Sequence, residues 1–446
     1  MNYRMLRVCG WSPVAAQVFY DLNALEGMSY HEQLEKFQSE NYTLPSSWTS
    51  CMTDLGNQSA DILINFVPLQ QQWCLENNVN IDFSQDEDIW RFRLLCEHVE
   101  VYKPDIIFFY AGVCSWFSSD QRAVLREMFP FIKLITGYWG DALVGQASYA
   151  RAFENMDVMF TSTSLYRDKF TKAGISAHVM GNCFDHILAQ GVEKINSLEM
   201  VHDLVFVGYT GFGCDLHRQR YEDLLKIMSN SNLEIWADEP SISRKKIGDV
   251  KSLKNYLKLP AQFVFKSAIS MVSMDRLLQI REASWIDWRM AKYIDAVVMN
   301  RRGEPVRGQY FAGREKITSL YPDRSHRPLS NGSDYYALLG RSKIVVNKHR
   351  DEEADYGNAR VFEATGMGSC LVTDRGSSLC EFFEPDTEIV TYNSADEAIE
   401  KINILLEDDE KRLKIARAGQ KRTMSEHTVA NRCERVHQVI EEHLDG

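Results

Sequence analysis

Apolar residues along this chain fall into two series of short runs, and most runs are followed by a stretch of helical periodicity. In the first series Met5–Cys9, Ala60–Asn65, Asp105–Tyr110, Phe131–Thr136, Val158–Ser162 and Ala177–Met180 read as strands. Ser12 and Pro13 read as the N-cap and first residue of a helix after the first strand, and Leu69–Glu76 as a helix after the second. The second series opens at Asp203-Leu-Val-Phe-Val-Gly208, with a helix over 217–230. Its later strands are Leu233–Ala237, Ser342–Asn347, 369–373 and Glu388–Tyr392, with a helix over 357–365 between the second and third of these. Helices at about 395–406, 408–420 and 426–444 close the chain, with ends loose by a few residues.

Strands alternating with helices predict an α/β protein with parallel sheets covered on both faces. Two such series predict two Rossmann-like, doubly wound halves, an N-terminal one over 1–198 and a C-terminal one over 199–446. Between about 240 and 330 the pattern blurs into an insertion of mixed structure. There Trp285, Ile286 and Met290 suggest a helix, while Arg301-Arg-Gly-Glu-Pro and Tyr321-Pro-Asp suggest turns. Open α/β sheets bind ligands beyond the carboxyl ends of their strands. The loops Gly10–Ser12, Gly137–Asp141, Gly208–Gly213 and His349–Asn358 are therefore expected to face a shared cleft.

Composition narrows the function more than the fold. The 446 residues are 45% hydrophobic, ample for two cores, and carry a net charge of -12. That balance argues against a protein that tracks nucleic-acid phosphates. The ten cysteines are scattered without a CxxC pair, which indicates neither a zinc knuckle nor a dithiol redox site and suits a reducing cytoplasm. No signal peptide is read at the N-terminus, and the longest apolar run, Ile106–Val113, is too short to span a bilayer. Peripheral association with the inner membrane face is left open.

The richest chemistry lies in Gly357–Asp374. Arg360 and Glu363, three residues apart, share one face of a short helix, Gly366 and Gly368 supply its stop, and a buried strand follows. Such a pair at the mouth of a strand–helix unit suits a nucleoside diphosphate: helix N–H groups meet the phosphates and the carboxylate accepts from ribose hydroxyls. The bland alternative is an exposed ion pair worth a few tenths of a kcal/mol. Gly208-Tyr-Thr-Gly211-Phe-Gly213 is a candidate phosphate loop or a plain turn, and it lacks the spacing of a dinucleotide fingerprint. Asn347, His349 and Asn358 flank a charged run, Arg350–Asp355, beside the same helix. Asp141 is a candidate general base for an acceptor hydroxyl, or simply a helix N-cap. The amides and indole of Asn65–Trp73 suit a sugar, or a core. Asp86-Glu-Asp88 reads as the acidic first turn of an amphipathic helix rather than a metal site.

The run Asn358-x-Arg360-x-Phe362-Glu363-Ala364-x-Gly366-x-Gly368, the strand ending Thr373-Asp374, and then Glu381-Phe-Phe-Glu-Pro-Asp386 resemble the C-terminal half of group 1-like glycosyltransferases of the GT-B fold. The nearest subgroup is the spore-maturation-type proteins and their relatives in bacterial polysaccharide loci. The tail from Ala416 to Arg432, Phe206-Val-Gly208 with His217 and Arg220, and Ser342–His349 are similar to the same family. The resemblance is specific over about 340–432 and poor over 240–330. It implies two lobes facing a cleft, with a C-terminal helix packing back. It also implies metal-independent transfer of a sugar from a nucleotide-sugar, a substrate and not a cofactor, to a glycan or lipid-linked glycan acceptor. Glu363 falls where the family's ribose-contacting glutamate stands. Asp355 occupies the place of a sugar-contacting glutamate, and Tyr209 that of a phosphate-binding arginine, for which His217, Arg218 or Arg220 are stand-ins. A nucleotide-sugar epimerase or hydrolase on the same fold, or a glycan-binding protein without turnover, are the alternatives.

Overall fold

The computed structural model describes residues 2–11, 13–40, 47–140, 152–196, 200–213, 217–237, 239, 272–281, 294, 297–298, 313–329, 332–349 and 357–445. Two six-stranded parallel sheets organise them. The first contains β1 (Arg4–Cys9), β2 (Gln58–Leu63), β3 (Ile106–Tyr110), β4 (Leu134–Trp139), β5 (Val158–Thr161) and β6 (Ala177–Val179), in the order β2-β1-β3-β4-β5-β6. The second contains β7 (His202–Val207), β8 (Glu234–Trp236), β9 (Ser325–His326), β10 (Ser342–Asn347), β11 (Cys370–Asp374) and β12 (Val390–Tyr392), in the order β12-β11-β10-β7-β8-β9. This is the doubly wound pair expected from the two series, and each sheet has one point where the crossovers reverse direction. Those points lie between β1 and β3 and between β7 and β10.

The strands read as unbroken apolar runs because helices cover both faces. In the second sheet Leu204, Phe206, Ile344 and Val346 face one core, and Val205, Val207, Val345 and Leu371 face the other. Two expectations need correction. The fourth strand runs Leu134–Trp139, not Phe131–Thr136, so Gly137 is a strand residue rather than the start of a loop. A Cβ at Gly137 would lie 2.6 Å from the Phe109 carbonyl oxygen and 2.7 Å from Cys114 Sγ, so this glycine lets two strands and a turn crowd together. The stretch taken as an insertion also ends in sheet structure. Ser325 and His326 pair with Ile235 and Trp236 as the edge strand β9, and the His326 ring stacks on Trp236 at 4.2 Å. Helix 285–290 and the turn at 301–305 lie outside the described residues. Among the described residues no helix is long and apolar enough to cross a membrane.

The last helix, Val429–Asp445, leaves the second half and packs on the first sheet. Val429, Cys433, Val436, Val439 and Ile440 join Met5, Ile106, Phe108 and Phe160 in one core. Each such side chain contributes about 1.5–3 kcal/mol relative to exposure. Its first turn carries Arg432, whose Nε and Nη2 donate to the Asn182 carbonyl at 3.0 and 2.8 Å and whose Nη1 donates to the Glu426 carbonyl at 2.9 Å. Burial and the neighbouring Arg432 push the His427 imidazole down to about 4, so its neutral Nδ1 accepts from Arg432 Nη2 while Nε2–H donates to the Phe382 carbonyl.

Arg432→Met removes every one of those donors while keeping the bulk. It is expected to destabilise the chain by about 3 kcal/mol, since charged hydrogen bonds to buried carbonyls are lost together. Urea unfolding at neutral pH measures this; a loss within experimental error would show that the helix is held by its apolar face alone.

Candidate functional site

The crevice between the carboxyl ends of β7 and β10 is the second sheet's reversal point, and the motif residues gather there. β7 runs into Gly208, which has φ +131°, and β10 ends at Asn347. The helix Ala359–Gly366 follows β10 and brings Arg360 back to β7: a Cβ at Gly208 would stand 3.6 Å from Arg360 Nη2. The glycine therefore sits directly under the guanidinium. Gly368, at φ +84°, makes the left-handed turn after the helix, whereas Gly366 lies inside it. Gly366 has a different task, since a Cβ there would fall 2.5 Å from the Phe184 ring.

The loop after β7 is tightly folded. Gly211 has φ +94° and its Cβ would meet the His217 carbonyl oxygen at 2.3 Å, which only glycine tolerates. The Tyr209 hydroxyl donates to the Phe212 carbonyl at 2.5 Å and Arg220 Nη1 donates to the Tyr209 carbonyl at 3.2 Å. Thr210 Oγ1 donates to Glu239 at 2.5 Å. Tyr209 and Arg220 thus brace the loop that Gly208 begins.

Asn358 is the N-cap of the Ala359–Gly366 helix, but its side chain makes no capping bond. Instead Asn358 Nδ2 donates to Asn347 Oδ1 at 3.1 Å, and Asn347 Nδ2 donates to Thr373 Oγ1 at 3.0 Å. The helix N-terminus, with its positive dipole end, is fixed to the strand ends, and the Asn358 side chain does not close it off. Next in this chain of contacts, His349 N–H and Nδ1 both lie on Asp374 Oδ1, at 2.9 and 2.8 Å. Lys348 Nζ reaches Asp374 Oδ2 at 3.1 Å and Asp223 at 3.6 Å. Burial pushes the Asp374 carboxyl up, but the charge and hydrogen bonds of His349, with Lys348 behind, outweigh it and hold it at about 2. Lys348 and Asp374 also form one wall of an open groove of about 700 Å³ between the helices Arg218–Asn230 and Ala395–Glu407.

Glu363 is buried and accepts from the Tyr335 hydroxyl at 2.5 Å, with Arg360 Nε 4.0 Å away. The Arg360 guanidinium lies 4.8 Å above the Tyr335 ring. Arg360 and Glu363 are therefore not an exposed surface pair. Burial raises the Glu363 carboxyl above its ordinary range, and Arg360 and Tyr335 only partly pull it back.

The structure thus brings Gly208, Arg360 and Glu363 together, with Asn347 and Asn358 as the knot beneath and His349 beside it. Asp141 and Asp355 lie outside the described residues. Three of the amides weighed for sugar binding in the first half are engaged elsewhere: Asn65 clamps the Trp11 backbone at 2.9 and 2.7 Å, Gln70 bonds Leu63 and His98, and Gln72 donates to Glu76. Trp73 stacks on His98 at 3.7 Å, in the core. Asp86 caps its helix through the Asp88 N–H, and Glu87 pairs with Arg91. Two residues escaped the sequence reading, and a third was named there without a role. Tyr335 sits on the helix Gly332–Gly340, far from the motif in sequence. Asp374, the last residue of the motif's strand, carries the bonds to His349 and Lys348. Asn182 joins the halves by donating from Nδ2 to the Gly357 carbonyl at 2.6 Å and accepting from the Tyr138 hydroxyl at 3.0 Å.

Residues 301–438 match a family model described as glycosyl transferase-like. No curated protein matches the sequence. Among solved structures, sucrose-phosphate synthase from Thermosynechococcus elongatus superposes with a TM-score of 0.53 at 10% identity, covering 98% of each chain. A glycosyltransferase from Rickettsia africae ESF-5 gives a TM-score of 0.50 at 10% identity over 99% of each chain. HepE from Anabaena in complex with UDP gives 0.50 at 12% identity, over 99% of this chain and 100% of that one. At such identities the likeness establishes the two-lobed α/β fold, and the family match places glycosyl transferase-like sequence over the half that holds the crevice.

Asp374 yields a pH prediction. Its folded value of about 2 lies below the ordinary 3.8, so it stabilises the fold above that ordinary value and the contribution is lost as pH falls through about 2. Asp374→Asn should cost roughly 2 kcal/mol at neutral pH, by the linkage of about 1.4 kcal/mol per unit. In urea unfolding the gap from the wild type should close as pH falls from about 4 towards 2. A gap independent of pH would remove the charge of Asp374 from the account.

Proposed function

We propose that this protein is a glycosyltransferase that moves a sugar from a nucleotide-sugar to a hydroxyl of a glycan or lipid-linked glycan acceptor, in bacterial surface polysaccharide assembly. One observation carries the reading: Arg360, the uncapped start of its helix, Gly208 and the buried Glu363 converge at the reversal point of a parallel sheet. The glycine allows a phosphate to approach the backbone closely. Arg360 and the helix N–H groups oppose the charge of a leaving diphosphate, which is where an oxyanion grows as the glycosidic bond breaks. Glu363 accepts from ribose hydroxyls. The family match over 301–438 and the fold shared with a glycosyltransferase and with HepE solved in complex with UDP support the same reading. In this reading the diphosphate is neutralised by protein groups, Asp141 takes the acceptor's proton and Asp355 contacts the transferred sugar.

A thermal-shift screen across UDP-, GDP-, dTDP- and CMP-sugars tests it. One donor class should raise the melting temperature, with about 2.7 kcal/mol of stabilisation at a hundredfold excess over Kd. Glu363→Ala and Arg360→Gln should abolish the shift. A full shift in both variants, or in the wild type no shift with any donor, would end the assignment. Breakdown of donor to a free sugar or an epimer, with no transfer to any acceptor, would point to the hydrolase or epimerase alternative.

A further inference from the structure

Glu363 is buried where its negative charge is disfavoured, although Tyr335 and Arg360 partly offset that burial. Both its protein partners, the Tyr335 hydroxyl and Arg360 Nε, address the same oxygen, Oε2. Oε1 receives no hydrogen bond from the described residues. The groups around it are poor hosts for a negative charge. Tyr335 bonds it from the helix Gly332–Gly340, and Tyr336 on that helix, Tyr110 at the end of β3 and Cys183 between the two sheets lie within reach of its charge. The pKa values of Tyr336, Tyr110 and Cys183 are raised, chiefly by burial and in part by the Glu363 carboxylate itself. The Asp409–Glu426 helix behind adds only neutral groups, Thr423 meeting Thr365 at 2.6 Å and Gln420 reaching the Gly366 carbonyl. Arg360 is the cation that pulls the other way, at the limit of ion-pair distance and with its plane engaged on the Tyr335 ring.

We propose that Tyr335 is a positioning residue that turns Glu363 so that Oε1 meets the vicinal hydroxyls of a nucleotide ribose, and that Glu363 gives up a proton when those hydroxyls bind. The inference rests on the donor-binding reading above. The proton passes from the carboxyl group to solvent buffer, and the ribose O–H groups then donate to the carboxylate left behind. Hydrogen bonds to the ionised form favour it, so the bound state holds the proton less tightly than the free state. Between the two values nucleotide binding releases protons and tightens as pH rises; above both it is flat. Release of the spent nucleotide is thereby helped by a fall in pH.

Calorimetric titration of the full chain tests this, using whichever of UDP, GDP or CMP stabilises it; stabilisation by dTDP alone, which has no 2′-hydroxyl, overturns the inference. Titrations run from about pH 5 to about pH 8.5 in buffers of unequal ionisation enthalpy, so that proton transfer shows as a buffer-dependent heat. The wild type should release protons at the acidic end and none at the alkaline end. Glu363→Gln should bind about tenfold or more weakly and lose that release; its residual signal, from the nucleotide's own phosphate, is the baseline to subtract. Tyr335→Phe keeps the ring under Arg360 and removes one donor from the carboxylate, so the release window should move to higher pH. A 2′-deoxy nucleotide should release fewer protons than its ribose counterpart. Wild-type binding with no proton release beyond that baseline overturns the inference and leaves the donor reading standing. Weaker binding by Tyr335→Phe with an unmoved pH profile would make Tyr335 merely structural and overturn its part. A chain that binds no nucleotide sinks the reading beneath.

Discussion

The hold of the Arg432 guanidinium on the Asn182 carbonyl is the contact on which the placement of the site depends. Two parallel sheets have no intrinsic reason to keep their carboxyl ends together. Here a residue of the last helix, seated on the first sheet, grips the segment between the sheets, and the side chain of that same Asn182 grips the Gly357 carbonyl. Gly357 stands immediately before the N-cap of the helix that carries Arg360 and Glu363. Arg432 is buried and the contact part-buried, whereas Ser164, which bonds Glu381 across the same boundary, is an exposed companion. A guanidinium in that position keeps its charge even though burial lowers its pKa, because backbone carbonyls and a neutral histidine surround it.

Two buried carboxyl groups near the crevice have opposite electrostatic fates, and the difference lies in what surrounds them. Asp374 is bonded by a backbone N–H, an imidazole and an ammonium group, so burial is overcome and it stays ionised. Glu363 has a phenol, a distant guanidinium and tyrosines, so burial prevails. The first carboxylate is complete without a ligand and orders the loop after β10. The second has both its protein partners on one oxygen, Oε2. A separation of this kind between neighbouring acids is how a polar site assigns a structural role to one and a responsive role to the other.

Much of the fold was legible because parallel strands buried on both faces leave continuous apolar runs, as Ile106–Phe109 and Ile344–Val346 do. β4 was misplaced by three residues because Phe131 is as apolar as a strand residue, yet it packs beside Phe129 ahead of the strand, while Gly137 carries no hydrophobic signal inside it. β9 was missed because a two-residue edge strand, Ser325–His326, has neither length nor apolar character. In the site, Arg360 and Glu363 were visible because three residues on a helix is a local spacing. Tyr335 and Asn182 were not, because their contacts with Glu363 and Gly357 depend on how distant elements pack. Asn347 and Asn358 were found as candidates, but their bonds to each other and to Thr373 could not be foreseen, because they depend on how the strand ends and the helix start meet.

The proposed anion and hydroxyl recognition would sit on one short helix. The N–H groups at its start and Arg360 in its first turn suit negative charge, while Glu363, one turn on, suits hydroxyl donors. A phosphate and the ribose attached to it differ in just this way, and one turn of helix advances 5.4 Å, the scale separating those two groups. Because one rigid element presents both, their spacing cannot drift when the lobes move. Gly208 ends a strand of the same sheet, so its approach to Arg360 is fixed within the second half, while the Asn182 bond to Gly357 ties the first half to the residue just ahead of that helix.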